Sequence, residues 1–201
     1  MDFGGVVVGL GNPGNQYAGT RHNCGFAFVE SLLDHARREG GQVQSQNGGK
    51  FSCELWRLRY DGLPGDWLAA MPQTFMNLSG QCVQPLLAWH KVSPDRLLAA
   101  HDELDIPPGE LRFKLGGGNA GHNGLKSIIS CLGSDQFPRV KIGVGAKPHP
   151  DYDLADWALS TVSKTEWPDY QEAMSHAGDA ALCIVKNGCE KAAAEYNGKM
   201  F

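Results

Sequence analysis

The residues best suited to chemistry are a histidine and a carboxylate that lie far apart in the sequence. His22 belongs to the segment Thr20-Arg21-His22-Asn23, and histidine is the side chain best suited to proton transfer near neutral pH. Asp102 follows an apolar run that predicts a core strand, and open α/β sheets place functional groups where such strands end. A carboxylate bonded to an imidazole fixes its tautomer and stabilises the imidazolium. This pattern is typical of a histidine base with an orienting carboxylate, for which the acidic cluster that begins at Asp102 is the candidate.

Less specific interpretations of these residues stay open at this point. A lone histidine is more often structural, and Asp102, Glu103 and Asp105 could form a solvated acidic turn or hold a hard metal ion. The metal is disfavoured because there is no second carboxylate cluster with ligand spacing. The sequence also lacks a Gly-x-Ser-x-Gly motif and an evident cysteine nucleophile. We therefore expect no metal, and activation of water if His22 is catalytic.

The first of two glycine-rich segments, residues 9–14, matches Gly-x-Gly-x-x-Gly directly after an apolar run. This is the pattern of a dinucleotide-binding loop, which needs a helix that opens at the pyrophosphate. Pro13 removes one backbone donor, and no helical pattern appears before Asn23. We therefore expect no nucleotide cofactor, which disfavours a nucleotide-dependent oxidoreductase. The glycines instead let the backbone approach a ligand closely, with Asn12 presenting its amide there.

The second glycine-rich segment, residues 116–124, lies between Lys114 and Lys126 and just before a predicted helix. Bare backbone N–H groups at such a place suit phosphate or carboxylate oxygens. The chain carries a net charge of −4, yet residues 106–150 carry +4 and residues 151–201 carry −5. A local polyanion site requires such asymmetry, although charge alone leaves ordinary surface variation equally open.

A third segment, residues 73–80, combines amide side chains with Phe75 and Met76. Its Ser79 could simply cap the helix that follows. Alternatively, Phe75, Met76 and Asn77 could line a groove that hydrogen-bonds peptide groups.

Composition limits the class of protein. A chain of 201 residues that is 42% hydrophobic fills one core, and we expect residues 1–201 to form a single domain. No apolar run approaches the roughly 20 residues of a membrane span, and residues 1–5 lack the basic start of a signal peptide. The six cysteines form no Cys-x-x-Cys motif and have no zinc-finger spacing. We therefore expect a cytoplasmic protein without disulfides.

Alternating strand and helix patterns predict the α/β fold class, with a mixed, mostly parallel β-sheet flanked by helices. We expect residues 42–50 to be a mobile connection and residues 61–62 to form a turn. Asn23 is expected to cap the first helix, and Pro85 to kink or delay the second. The predicted strands are residues 6–8, 51–60, 67–71, 96–101, 110–115 and 140–144, and the predicted helices are residues 26–36, 78–91, 125–132, 170–186 and 189–196.

Four blocks of the sequence together resemble bacterial peptidyl-tRNA hydrolase. They come in the family's order, and the resemblance covers nearly the whole chain. It implies a monomeric, single-domain α/β enzyme without a cofactor, whose substrate and partner is peptidyl-tRNA and whose reaction hydrolyses the ester between peptide and tRNA. The blocks are Gly9-Leu10-Gly11-Asn12-Pro13-Gly14 with Tyr17 and Thr20-Arg21-His22-Asn23, then Met76-Asn77-Leu78-Ser79-Gly80, His101-Asp102-Glu103-Leu104-Asp105, and residues 116–125.

The resemblance also implies a role for each matching residue. His22 matches the general base that activates water, and Asp102 matches the aspartate that orients it. Residues that match the family's peptide-binding and positioning groups are Asn12, Tyr17, Phe75, Asn77 and Asn123, and those that match its clamp on the tRNA phosphates are Lys114, Arg139 and Lys141.

The chain departs from the family's pattern in three places, all of which bear on how it holds tRNA. Lys141 stands where a second arginine is expected, so a bidentate phosphate contact becomes a point-charge contact. Asn119-Ala120 replaces the more usual His-Gly, and Met71-Pro72-Gln73 stands where Lys-Pro is common.

A second hypothesis from another class stays open. The chain is also similar to chloroplast relatives of the same fold that serve as a splicing factor and can retain the active-site residues. A non-catalytic RNA-binding role is therefore the alternative. The absence of a transit-peptide pattern and of an identifiable exposed apolar patch favours the hydrolase.

Overall fold

The computed structural model describes residues 3–61, 63 and 65–199. Within them, the structure contains seven strands and seven α-helices, and the last four helices follow one another after the last strand. The strands are β1 (Phe3–Gly9), β2 (Gln42–Gln46), β3 (Cys53–Arg59), β4 (Asp66–Pro72), β5 (Leu97–Glu103), β6 (Leu111–Leu115) and β7 (Pro138–Gly143). The helices are α1 (Cys24–Arg38), α2 (Ser79–His90), α3 (Asn123–Leu132), α4 (Leu154–Ala158), α5 (Trp167–Ser175), α6 (Ala177–Asn187) and α7 (Cys189–Tyr196).

The strands form one mixed sheet in the order β2-β3-β4-β1-β5-β7-β6, which confirms the predicted α/β class. The central strands β4, β1, β5 and β7 are mutually parallel. The outer strands pair antiparallel, β2 with β3, β3 with β4, and β6 with β7. Because β1 and β5 are parallel neighbours, their carboxyl ends lie side by side. The loop that follows β1 carries Asn12, and the end of β5 itself carries Asp102, so both residues lie at this edge of the sheet.

A hydrophobic core lies on each face of the sheet, and strand alternation assigns the residues between them. In β1, Val7 joins the core under α1, α5, α6 and α7, whereas Val6 and Val8 join the core under α2 and α3. In β5, Leu98 and Ala100 take the first side and Leu97 and Ala99 the second. Because both faces of these strands are buried, their sequences are continuously apolar. This apolar run is the pattern that predicted them.

Several predicted boundaries are wrong for identifiable reasons. Residues 42–50 are not simply a connection, because they contain β2, an edge strand that is built through backbone pairing with β3 while its polar side chains face water. The predicted helix over residues 170–186 divides at His176 into α5 and α6. The Ser175 hydroxyl donates to the Glu172 carbonyl, and such bonding to the preceding turn bends helices. Pro85 lies inside α2, and the predicted turn at residues 61–62 lies partly outside the described residues.

The first turn of α1 presses directly on the ends of β1 and β5. A Cβ atom at Gly25 would lie 2.3 Å from the Leu10 nitrogen and 2.5 Å from the Ala100 carbonyl oxygen. Both obstacles are backbone atoms, which cannot rotate away. Glycine at this position therefore lets the segment that carries His22 reach the strand ends.

We predict that Gly25→Ala lowers the free energy of unfolding by about 1–3 kcal/mol or more, because the added methyl group must push α1 off the sheet. Chemical denaturation measures the change. Gly118→Ala is the control, since a Cβ at Gly118 meets nothing within 4 Å and its stability should barely change. Equal stability of the Gly25→Ala variant and the wild type would contradict the close approach.

Candidate active site

The structure brings together the two residues that the sequence paired. His22 lies in a single 3₁₀ turn, Arg21–Asn23, immediately before α1. Strand β5 runs two residues past its predicted end, so Asp102 is one of its last residues and is only 6% exposed. The Nδ1 atom of His22 lies 2.7 Å from Oδ1 of Asp102. This leaves Nε2 of His22 as the ring nitrogen available for proton transfer.

Asp102 remains charged although it is buried. Burial acts to raise its pKa, but the imidazoles of His122 and His22 outweigh burial and hold the pKa of this carboxyl well below its usual range. Both rings approach the same carboxylate oxygen, His22 at 2.7 Å and His122 at 2.9 Å. A buried carboxylate that accepts two hydrogen bonds is held in one orientation, and so are the rings that donate to it.

His122 is the member of this candidate site that sequence reasoning missed. Its Nδ1 accepts the backbone N–H groups of Gly124 at 3.1 Å and Leu125 at 3.3 Å, so His122 caps the start of α3. Because Nδ1 accepts, the proton lies on Nε2, which donates to Asp102. A signal was present in the sequence, since His122 lies directly before a predicted helix within a glycine-rich segment.

The same three residues also resemble a metal-ligand set. One ligand atom from each of His22, Asp102 and His122 lies within 4.8 Å of the others. To bind a cation through Nε2, His122 would have to move its proton to Nδ1 and give up both hydrogen bonds that cap α3. The hydrogen bonding of this cluster therefore suits proton transfer better than metal binding.

A third histidine supports the cluster from the other side of β5. His101 is buried, its Nδ1 donates to the backbone oxygen of Asp102 at 2.8 Å, and its ring packs edge-on against His122 with centroids 5.0 Å apart. Burial, followed by the neighbouring charge of His122, lowers the pKa of His101 to about 3. His101 is therefore neutral at physiological pH and adds no charge beside Asp102.

Asn12 joins the loop after β1 to two other parts of the site. Its backbone exchanges hydrogen bonds of 2.9 Å with the Asn23 side chain, and its Oδ1 accepts the N–H of Met76 at 2.8 Å. The amide nitrogen of Asn12 has no hydrogen-bond partner within the described part of the chain, so it can donate to a ligand. Asn23 occupies the predicted N-cap position of α1, but its side chain makes no capping hydrogen bond because it binds Asn12. Ser79 is not the N-cap of α2, and its hydroxyl donates to the Met76 carbonyl.

A cavity of about 720 Å³ opens over these groups. The edge-to-face pair of Tyr17 and Phe75, with ring centroids 6.5 Å apart, lies at one side, and Phe75 is 54% exposed. Residues from α4 and its flanks also line the cavity, and sequence reasoning did not assign them to the site. Of the predicted site residues, those that line the cavity are Asn12, Tyr17, His22, Phe75, Asn77, Asp102 and Asn123.

The predicted phosphate-binding residues share one face of β6 and β7 but differ in their partners. Lys114 pairs across the strands with Arg139, and it is exposed and forms no ion pair with another described residue. Arg139 is only 2% exposed, and its guanidinium donates to the carbonyl groups of Gly117 and Gly118. The Nζ atom of Lys141 lies 2.6 Å from Glu103. Lys114 is therefore the predicted cation that is best placed to meet an external anion.

The fold and the His22–Asp102 pair define the class of protein as an α/β enzyme with a site for proton transfer. The sequence profile of peptidyl-tRNA hydrolase matches residues 6–201. The chain is 55% identical over 192 residues to the peptidyl-tRNA hydrolase of Desulfovibrio desulfuricans, which covers 96% of this chain and 83% of that protein. It is 48% identical over 193 residues to the enzyme of Nitratidesulfovibrio vulgaris, with 96% and 95% covered.

The solved structures agree. The crystal structure of peptidyl-tRNA hydrolase from Acinetobacter baumannii matches with a TM-score of 0.85 and 35% identity, covering 100% of this chain and 98% of that chain. This chain belongs to the peptidyl-tRNA hydrolase family. The family expected from the sequence motifs is thereby confirmed. In the described part of the chain, no helix has both the length and the apolar character needed to cross a membrane.

We predict that His101 makes stability depend on pH in the acid range. The pKa of His101 is about 3 in the folded chain and about 6.5 in the unfolded chain, so the unfolded chain binds more protons below pH 6.5. Above pH 6.5, His101 is neutral in both states and does not change the free energy of unfolding. Below pH 6.5, this free energy falls by about 1.4 kcal/mol per pH unit as the pH decreases toward 3.

The measurement is the free energy of unfolding between pH 7 and pH 4 for the wild type and His101→Gln, which should show the flatter curve. His101→Phe is the control for shape, because it cannot titrate either and should follow the same flatter curve. Parallel curves for all three proteins would contradict the buried, neutral histidine.

Proposed function

We propose that this chain hydrolyses the ester that joins peptide to tRNA in peptidyl-tRNA, with His22 as general base and Asp102 as its orienting partner. The observation that carries the proposal is the 2.7 Å hydrogen bond between His22 and a buried Asp102, two residues that both line the cavity. A base held in this way contributes about 10²–10⁴-fold in rate. Binding and positioning of the substrate must supply the rest.

The reaction follows from where the protons can go. Nε2 of His22 removes a proton from water as the water oxygen attacks the ester carbonyl carbon. Asp102 stabilises the imidazolium that forms, because its ionised carboxylate accepts a hydrogen bond from the Nδ1–H group of His22. When the tetrahedral intermediate collapses, the bond to the ribose oxygen breaks and His22 returns its proton to that oxygen. The products are a tRNA with a free ribose hydroxyl and a peptide carboxylic acid, which releases its proton to the solvent and becomes a carboxylate.

The amide side chains bind the peptide in this proposal. The side-chain nitrogen of Asn12 donates to no described residue and is therefore available to a ligand. Asn77 and Asn123 line the same cavity. These groups can pair with the backbone of any peptide, which suits a substrate of variable sequence. Tyr17 and Phe75 add an aromatic surface beside the scissile end.

The basic face of β6 and β7 binds the tRNA backbone. Lys114 contacts phosphate directly, since its ammonium has no ion-pair partner among the described residues. Lys141 contributes once its pair with Glu103 opens. Arg139 acts through the glycine-rich loop, whose carbonyl groups it holds in place. Contacts of this kind make the affinity sensitive to salt and largely indifferent to tRNA sequence.

We further propose that residues 1–201 act as one domain, as a cytoplasmic monomer, and without a metal or cofactor. The hydrogen bonds that fix His122 as a donor support the metal-free reaction. The alternative is a non-catalytic RNA-binding protein, which would use the same basic face without the chemistry.

The experiment that tests the proposal measures peptide release from an N-blocked aminoacyl-tRNA beside the free-amine form, with a chelator present. Fast, chelator-resistant release from the blocked substrate alone supports a metal-free hydrolase. Salt-sensitive tRNA binding without release moves the chain to the RNA-binding class. Release that stops with the chelator contradicts the metal-free mechanism.

We predict that Asp102→Asn lowers kcat by about 100-fold or more while tRNA affinity stays within about twofold. The asparagine can still accept hydrogen bonds, but it lacks the charge that stabilises the His22 imidazolium. Single-turnover hydrolysis and tRNA binding are measured on the same preparation. Asp105→Asn is the matched control, because Asp105 is an exposed carboxylate three residues away. Activity of Asp102→Asn near that of the control would contradict the orienting role.

We predict that Lys114→Ala weakens tRNA binding and reduces the slope of log affinity against log salt by about one or less. The reason is that one fewer counterion is released when one phosphate contact is lost. Lys191→Ala on α7, an exposed lysine outside the β6–β7 face, is the control and should leave the slope unchanged. An unchanged slope for Lys114→Ala would remove Lys114 from the phosphate clamp.

A further inference from the structure

One side of the cavity is poorly anchored by apolar packing. This outer wall, residues 153–159, contains α4 and supplies Leu154 and Leu159 to the cavity lining. Leu154 is 52% and Leu159 40% exposed, and Ala158 is the one buried side chain of the segment. A segment with so little buried apolar surface opens easily unless other contacts hold it.

Arg21, the residue directly before His22, supplies those contacts although it is only 1% exposed. Its guanidinium lies 3.9 Å from the centroid of the Trp157 ring. It also donates to the Ser160 hydroxyl at 3.2 Å, the Val144 carbonyl at 3.0 Å and the Glu166 carboxylate at 2.7 Å. One side chain therefore joins the turn that carries His22 to the outer wall, to the end of β7 and to the start of α5.

Two further contacts bring the outer wall to the same place. The backbone N–H of Arg21 donates to the Ser160 carbonyl at 2.9 Å, next to an isolated antiparallel bridge between Thr20 and Thr161. The indole N–H of Trp157 donates to the Gly145 carbonyl at 2.9 Å. Trp157 is therefore held at its ring edge and covered on its ring face by Arg21.

The chemistry of this site requires arginine. A planar guanidinium can stack on an indole while its separate N–H groups donate in three directions, whereas a lysine ammonium is a compact point charge. The Glu166 carboxylate compensates the buried charge, and the Arg21 hydrogen bond acts against burial to lower the pKa of Glu166. Glu166 therefore stays ionised, and the network stays paired, at neutral pH.

We propose that Arg21 is a positioning residue that holds the outer wall against the turn bearing His22 and thereby keeps the peptide side of the cavity formed. The inference rests on the proposed function of this cavity. His22 itself is oriented by Asp102, so Arg21 acts on substrate binding rather than on proton transfer. Its loss raises KM and leaves kcat and the pH dependence of kcat nearly unchanged.

The test compares Arg21→Lys with the wild type in two measurements. Steady-state hydrolysis of N-blocked aminoacyl-tRNA should show KM raised about tenfold with kcat within about twofold. Deuterium exchange should accelerate in the peptide that covers residues 153–161 and stay unchanged in α2. Arg38→Lys on α1 is the matched control, since Arg38 is an exposed arginine and should behave as wild type.

Two milder variants keep the test decisive if Arg21→Lys fails to fold. Trp157→Phe keeps an aromatic face under Arg21 but removes the bond to the Gly145 carbonyl. Glu166→Gln keeps an acceptor for Arg21 but removes the compensating charge. Both should show smaller changes of the same kind, in KM and in exchange of residues 153–161.

Three outcomes overturn the proposal. One is a KM and a rate of deuterium exchange in Arg21→Lys equal to those of the wild type, which would mean that a point charge is enough to hold the outer wall. Another is a loss of kcat with a shifted pH profile, which would place the effect on His22. The third is faster exchange throughout the chain, which would mean general destabilisation. If the wild type releases no peptide, the proposed function fails, and the exchange comparison alone still decides whether Arg21 holds the outer wall.

Discussion

The site depends on one buried negative charge. The carboxylate of Asp102 lies at the end of β5, and the hydrogen bonds from two imidazoles keep it ionised against the effect of burial. Each donor belongs to a different helix start, His22 before α1 and His122 at the cap of α3. The charge therefore sets the orientation of the His22 ring and also ties the helices on both faces of the sheet to the same strand end.

The fold is arranged so that these groups can meet. Parallel pairing of β1 with β5 puts their carboxyl ends side by side, and Gly25 lets α1 touch the backbone there. On the other face, α3 begins close enough for its capping histidine to reach Asp102. His101 fills the space behind that histidine without adding charge, because burial keeps it neutral. Each of these contacts joins residues that are far apart in the sequence.

Sequence reasoning found what local patterns encode. The apolar runs of β1 and β5 predicted the central strands, and the motifs around His22 and Asp102 predicted the pair that the structure brings together. The sequence pattern did not predict β2, because this edge strand forms through backbone pairing with β3 and its polar residues show no apolar periodicity. It could not find the burial of Arg139 either, since its partners are loop carbonyl groups. His122 and the outer wall were missed because their roles arise from contacts between distant segments.

The central claim is that His22 removes the proton from the attacking water. The most direct measurement is single-turnover hydrolysis of bound N-blocked aminoacyl-tRNA by His22→Ala, with tRNA affinity measured in parallel. The account predicts that hydrolysis slows by about 10²–10⁴-fold while affinity stays within about twofold of the wild type. Hydrolysis by the folded variant at a rate near that of the wild type would contradict it.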